Sequence, residues 1–170
     1  PVAGVPFGRI LNNTIVGSGA TTGIVITDGA SPTLLNNVFA DLGSGVQVQG
    51  SGSQQTVIST SAFYRVGAEV VGATQTQGMT LTNNPFVNSS VGNFYPSANT
   101  AIVDSSLNSL QDRNSYAVFK EPLGIAPSPI VAPSRDVFGQ LRGDDPGQAG
   151  IPGLGLDVFK DRGAIERIDF

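Results

Sequence analysis

Four charged residues near the end of the chain, Asp136, Arg142, Asp161 and Glu166, are of the types that acid–base chemistry uses. Paired carboxylates can act as general acid and general base when their surroundings split their proton affinities. The same set could instead start a metal site, or form an ion-pair network that only braces backbone. The stretch GDDPG (Gly143 to Gly147), with Asp157 and Asp161 beyond it, offers oxygen ligands of the kind calcium takes. It lacks the alternating Asp/Asn spacing of calcium loops and reads as a solvated turn. Arg142-Gly143-Asp144 spells an integrin-type tripeptide, a weak match in a segment where Arg142 has other work. Tyr64, Phe94, Tyr95 and Tyr116 could stack on sugars, although core or cap packing is the commoner use of scattered aromatics. Asn12 and Asn88 head Asn-x-Ser/Thr sequons, which matter only in a host that glycosylates them.

The missing residue types narrow the chemistry further. The chain has no His and no Cys, which removes Ser-His-Asp and Cys-His catalysis, the usual zinc sites and disulfides. We therefore expect no catalytic residue, no metal and no cofactor. A net charge of −4 and no Lys/Arg cluster exclude the electrostatic footprint of a nucleic-acid binder. No apolar run approaches the roughly 20 residues of a membrane span. The chain opens on Pro1, without a basic n-region or Met, which leads us to expect a processed product or a fragment of something longer.

What positions these groups is a repeat. The segments ILNNTI from Ile10, LLNNVF from Leu34, ISTSAF from Ile58 and LTNNPF from Leu81 align at steps of 24, 24 and 23. One apolar column is then Ile10, Leu34, Ile58 and Leu81, and another is Ile15, Phe39, Phe63 and Phe86. Between them run Asn12, Asn36, Thr60, Asn83 and then Asn13, Asn37, Ser61, Asn84. A second register, GIVITDG from Gly23, GVQVQGS from Gly45 and GAEVVGA from Gly67, recurs at steps of 22. This period is too long for a hairpin and too short for a βαβ unit, but suits one coil of two or three short strands. In a stack of such coils, about 4.8 Å apart, like residues form ladders. Asn tolerates the left-handed corner, and its amide both donates and accepts along the stack. A leucine-rich repeat would need more Leu per period. With Gly at 22 residues and only 13% charged, the composition also favours strands and turns over long helices.

With this repeat the chain resembles the right-handed parallel β-helices of the pectate-lyase-like superfamily. The resemblance sharpens at NNPFVNSSVGNFYPSANTAIVDSS (Asn83 to Ser106), which is similar to the closing coil of secreted bacterial β-helix proteins. RDVFGQLR (Arg135 to Arg142) and VFKDRGAIE (Val158 to Glu166) resemble the paired signatures that end such domains. The resemblance implies an all-β fold of about four coils over residues 1–104, and an irregular Pro-rich wrap or cap over 105–170 packed on the solenoid. It also implies an extracellular or cell-surface location, and a structural closing network for Asp136, Arg142, Asp161 and Glu166. Enzymes of this superfamily carry acidic calcium ligands and a basic catalytic residue on their middle coils. Residues 1–104 hold only Arg9, Asp28, Asp41, Arg65, Glu69 and Asp104 as charges.

The stretch Glu121 to Asp136 holds Pro122, Pro127, Pro129 and Pro133, so it is expected to run extended along the flank or tip and to cover the last coil. The function that follows is a non-catalytic structural module of an exported bacterial protein, serving surface architecture, adhesion or head-to-tail self-assembly into fibres. Its expected partners are copies of itself or upstream coils of the same protein. The alternative is a domain that binds or cleaves extracellular polysaccharide.

Overall fold

The computed structural model of the protein describes residues 8–113, 120–126, 128–148 and 159–168. Pro1, Tyr116, Pro127 and Asp157, named above, lie outside them. The described residues are all-β with mainly parallel strands. The chain alternates between two sheets. Strands β1 (Arg9–Leu11), β2 (Thr14–Val16) and β3 (Thr22–Ile26) make the first pass. They are followed by β4 (Thr33–Leu35), β5 (Val38–Val48), β6 (Val57–Ser59), β7 (Ala62–Val71), β8 (Gln75–Thr76) and β9 (Met79–Leu81). One sheet has the order β1-β4-β6-β8, the other β2-β5-β7-β9, with β3 also on β5. All of these pairings are parallel.

Register decides which residues meet. Ile10 pairs with Leu34 and Leu34 with Ile58, while Ile15 pairs with Phe39 and Phe39 with Phe63. These side chains, with Ile26, Leu42, Val46 and Val48, form one apolar cluster shared by the two sheets. Phe39 and Phe63 stack with ring centroids 5.1 Å apart and planes 7° from parallel. A two-residue turn, Asn12-Asn13, Asn36-Asn37 or Thr60-Ser61, sends the chain from the three-residue strands β1, β4 and β6 of one sheet to β2, β5 and β7 of the other.

The fourth pass departs from the sequence alignment. Ile58 pairs with Gln75, Phe63 with Thr80 and Tyr64 with Leu81, a shorter step than the 24 residues that separate Asn12 from Asn36 and Asn36 from Thr60. The cause is loop length. Eight residues link β5 to β6, but only Gly72, Ala73 and Thr74 link β7 to β8, with Gly72 at φ 77. A Cβ at Gly72 would lie 2.1 Å from the Val48 carbonyl oxygen. Leu81 therefore leaves the first apolar column, and Phe86, Asn83 and Asn84 leave theirs. The Gly register also differs: with Ser44 opposite both Thr22 and Ala68, Gly45 follows on Gly23 but Gly67 falls beside Gly43.

The two core-facing positions of the last pass are thus Gln75 and Thr80. Both donate to Glu69: Gln75 Nε2 to Oε2 at 2.8 Å and Thr80 Oγ1 to Oε1. The stack ends in polar side chains on this side. At the other end, β1, β2 and β3 each pair on one edge only among the described residues, beside an open cavity of about 430 Å³ lined by Ile10, Ile24, Val25, Ile26, Ala30 and Pro32.

Outside the stack, β10 (Phe86–Asn88) and β11 (Asn93–Pro96) form an antiparallel pair. Phe86 meets Phe94 edge-on at 5.4 Å, and with Ile102 it covers Val38, Ala40 and Ala62 on the far face of the second sheet. The Pro-rich stretch is not wholly extended: Glu121–Leu123 makes a 3-10 turn, and β13 (Ile130–Val131) pairs with β12 (Ser109–Leu110). Replacing Phe63 by Ala empties the centre of the shared cluster. It should lower stability by about 3–5 kcal/mol in urea unfolding followed by circular dichroism, with the slope unchanged.

Candidate functional site

The corner between the sheets is a column of left-handed residues. Asn12, Asn36, Thr60 and Gln77 have φ of 51, 57, 48 and 54°, and Gln77 takes the place assigned above to Asn83. A non-Gly residue in this region costs roughly 1–2 kcal/mol, so four in a row need compensation. It comes from the side chains. Asn36 Nδ2 donates to Asn12 Oδ1 at 3.2 Å, and Thr60 Oγ1 donates to Asn36 Oδ1 at 2.7 Å. The next column adds Asn37, whose Oδ1 accepts the Asn13 N–H at 2.9 Å while its Nδ2 donates to the Ile10 carbonyl at 2.8 Å. Sequence reasoning supplied three members of the first column. Gln77 carries no Asn-like signal, and only the pairing register reveals it.

The same corner receives the closing segment. Asn36 exchanges two hydrogen bonds with the main chain of Leu107, at 2.8 and 2.9 Å, and its own carbonyl accepts the Gly163 N–H at 2.8 Å. Asn12 Nδ2 donates to the Asp161 carbonyl at 3.1 Å. Arg162, which the sequence reading did not single out, is buried and spans the passes: Nε on Ser105, Nη1 on the carbonyls of Ser61 and Gln77. Arg113 reaches Ser31 and Thr33. Gly163 sits at φ 96, where a Cβ would press on Thr14 and Val38. These contacts lie along the flank, across the corners of successive passes.

Asp136, Arg142, Asp161 and Glu166 meet in one buried network. Arg142 Nη1 and Glu166 Oε2 are 2.8 Å apart, with side-chain exposures of 1% and 0%. Arg142 also donates to the carbonyls of Asp161 and Gly163. Glu166 accepts the N–H of Gly143 and of Asp161. Asp136 accepts those of Phe138 and Gln140 on Oδ1 and that of Glu166 on Oδ2. Asp161 accepts those of Asp104 and Arg167 at 2.8 and 2.7 Å. Burial, joined by the Glu166 charge, raises Asp161 above the carboxylate range, and burial raises Glu166 against the pull of Arg142. Every one of these carboxylates is turned to main-chain N–H groups, an arrangement that fixes irregular backbone.

Other sequence candidates have different fates. Asp145 is not in a solvated turn: it is 1% exposed and 3.3 Å from Arg167. Arg142, held by Glu166, cannot be presented with Gly143 and Asp144 to a receptor. Asn12 is buried, whereas Asn88 is exposed. Asn83 is exposed, and Asn84 caps its own turn through Ser89 and the Phe86 N–H. The aromatics do not form one platform: Phe94 packs on Phe86, Tyr95 lies under Arg167 at 5.7 Å, and Tyr64 lies under Arg65 at 6.0 Å. Arg65 in turn reaches Asp41 at 3.2 Å, on the wall of a shallow cavity of about 420 Å³ with Gly17, Ser18, Ser89 and Ser90.

Residues 7–116 match the sequence profile of a family described as periplasmic copper-binding protein (NosD). No curated protein and no solved structure matches the chain. Protein copper sites draw chiefly on imidazole, thiolate and thioether groups. The chain has no His, no Cys and one Met, and that Met79 is packed in the cluster around Phe86. Among the described residues no three His, Cys, Asp or Glu side chains are grouped to hold a metal. The residues present do not fit copper. Titration calorimetry with Cu(II), and with Cu(I) under reducing conditions, should show no stoichiometric site on this chain. Replacing Arg142 by Ala should cost about 3–5 kcal/mol, since it strands buried Glu166 without its cation, measured by urea unfolding at neutral pH.

Proposed function

The chain belongs to the NosD family, and from that premise we propose that it is a non-catalytic structural module of an exported bacterial protein, working at the envelope or cell surface. Alternation of the chain between two parallel sheets, at a constant step over the first three passes, supports a right-handed parallel β-helix, the hand that parallel crossovers adopt almost without exception. One observation carries the functional reading: the side chains that the sequence offers for chemistry are committed to holding backbone. The Asn columns bridge passes, and the closing carboxylates bind main-chain N–H groups. A scaffold is what such an allocation builds.

The two ends of the stack bear on how the module associates. Stacking one copy's first pass on another's last would set Ile10, Ile15 and Ile24 against Gln75, Thr80 and the Glu69 carboxylate, a poor match because a charge would be buried against apolar side chains. The first-pass end is therefore the attachment face, for upstream passes of the same protein or for a second copy, and head-to-tail fibres are the less favoured form. The cavity walled by Asp41 and Arg65 favours polysaccharide binding as the second reading, because hydroxyl groups and one steadied guanidinium suit a polar, extended ligand.

Light scattering with negative-stain electron microscopy tests both. Discrete small assemblies that dissociate on Val25→Lys, a change in the exposed wall of the first-pass cavity, are the expected result. A chain that stays monomeric at all concentrations, or a Val25→Lys variant that assembles unchanged, overturns attachment of a second copy and leaves upstream passes of the same protein as the occupant of that face. A glycan-array signal lost on Arg65→Ala would move the assignment to the second reading.

A further inference from the structure

Asp104 stands outside every role assigned so far. It ends the stretch that brings Ile102 over the second sheet, has φ 50 and is 2% exposed. Its N–H donates to Asp161 Oδ1 at 2.8 Å and its Oδ1 accepts the Asp145 N–H at 3.3 Å. Its Oδ2 is buried and has no hydrogen-bond partner. Around it lie Asp145, Asp161 and, a step further, Glu166, with Asp144 nearby at the surface. The cations of the region are engaged elsewhere: Arg142 on Glu166 and Arg167 on Asp145, Arg162 on Ser105, Ser61 and Gln77, Lys160 on Asn108. Asp104 and Asp161 thus face each other's neighbourhood with no bonded cation.

An ionised carboxylate with one oxygen shut away from water and from any donor is costly. Something must neutralise it, and no set of three ligands placed for a metal exists among the described residues. A proton on Asp104 Oδ2 removes the charge, the costliest part of burying that oxygen. We propose that Asp104 is a proton-binding member of a buried acid cluster that latches the closing segment onto the strand corner, and that loss of its proton loosens the latch. The latch consists of contacts that meet at Asp161: its side chain holds the Asp104 N–H, its carbonyl holds Asn12, and the adjoining Gly163 N–H holds Asn36.

Burial raises Asp104 to about 6, helped by the charges of Asp144 and Asp145 and opposed by the Asp145 N–H. A carboxyl raised in the folded state contributes stability that is complete below its ordinary value near 4 and is lost as pH rises through about 6. The device therefore closes in acid and slackens toward neutral and alkaline pH. Asp112 works the other way: its burial is outweighed by Lys120, the Arg113 N–H and Arg9, which together lower it, so its contribution is lost only in stronger acid.

Amide hydrogen exchange on the full chain from pH 5 to 8, corrected for intrinsic rates, reads the latch directly. Opening at Asp161, Gly163 and Arg167 should rise by up to tenfold per pH unit for each proton released, with Glu166 and Asp161, raised to about 7 and about 8, adding to the Asp104 slope in the upper part of the range, while Phe39 and Val46 in β5 stay unchanged. In Asp104→Asn the amide keeps the acceptor for Asp145 and adds a donor where Oδ2 was, so the slope at those three amides should fall by one proton. A wild-type profile without slope, or an Asp104→Asn profile with the wild-type slope, overturns the proposal. Should that variant not fold, isotope-edited infrared spectroscopy of the wild type decides: a protonated Asp104 carboxyl band at pH 5 that is gone at pH 8 is required, and its absence at pH 5 rejects the latch.

Discussion

The side chain of Asn36 is the interaction on which the rest depends. Its amide donates to Asn12 in the pass before and to Leu107 in the closing segment, and accepts from Thr60 in the pass after and from Leu107. Donors and acceptors are thus both used in full, at 0% exposure and in a backbone conformation that side-chain-bearing residues avoid. The strands on either side, β4 and β5, inherit their spacing from this corner. Asp would lack the donors, and Leu would leave carbonyls of two segments without partners. An Asn at this position sets the register between passes and also the place where the closing segment lands.

That segment solves a problem of charge. Buried ions are expensive, and an Arg–Glu pair in the interior gains its keep only when its remaining donors and acceptors are filled. Arg142 and Glu166 meet that condition through the carbonyls of Asp161 and Gly163 and the N–H groups of Gly143 and Asp161. Irregular backbone, which has no ladder of its own, gets its hydrogen-bond partners from carboxylates. The concentration of charge in residues 105–170, against six charged residues before them, follows from this: strands satisfy themselves and the closing segment does not.

Three passes were legible in the sequence because Ile10, Leu34 and Ile58, and Asn12, Asn36 and Thr60, repeat at one period that the ladder enforces. The fourth was not, because NNPF at Asn83 repeats the look of NNTI and NNVF while the three-residue turn after Val71 has already brought Gln75 and Thr80 into place. Polar residues at core-facing positions defeat a search for apolar columns. Asp136, Arg142, Asp161 and Glu166 could be picked out by type and by resemblance, yet Arg162 and Asp104 could not: each acts through partners distant in sequence, such as the Ser61 carbonyl for Arg162 and the Asp161 carboxylate for Asp104, and that pairing leaves no local pattern.

The path of Arg162 has a mechanical consequence. In a parallel stack the strands lie across the long axis, so tension along that axis would load the pairing one layer at a time, as in opening a zip. Arg162 ties Ser61 and Gln77 to Ser105, while Asn36 and Asn12 are tied to Leu107 and Asp161. A strap fastened at several layers shares the load among them, so peeling at the corner cannot proceed until the strap itself gives way. A chain built this way resists pulling as a unit and yields in one step.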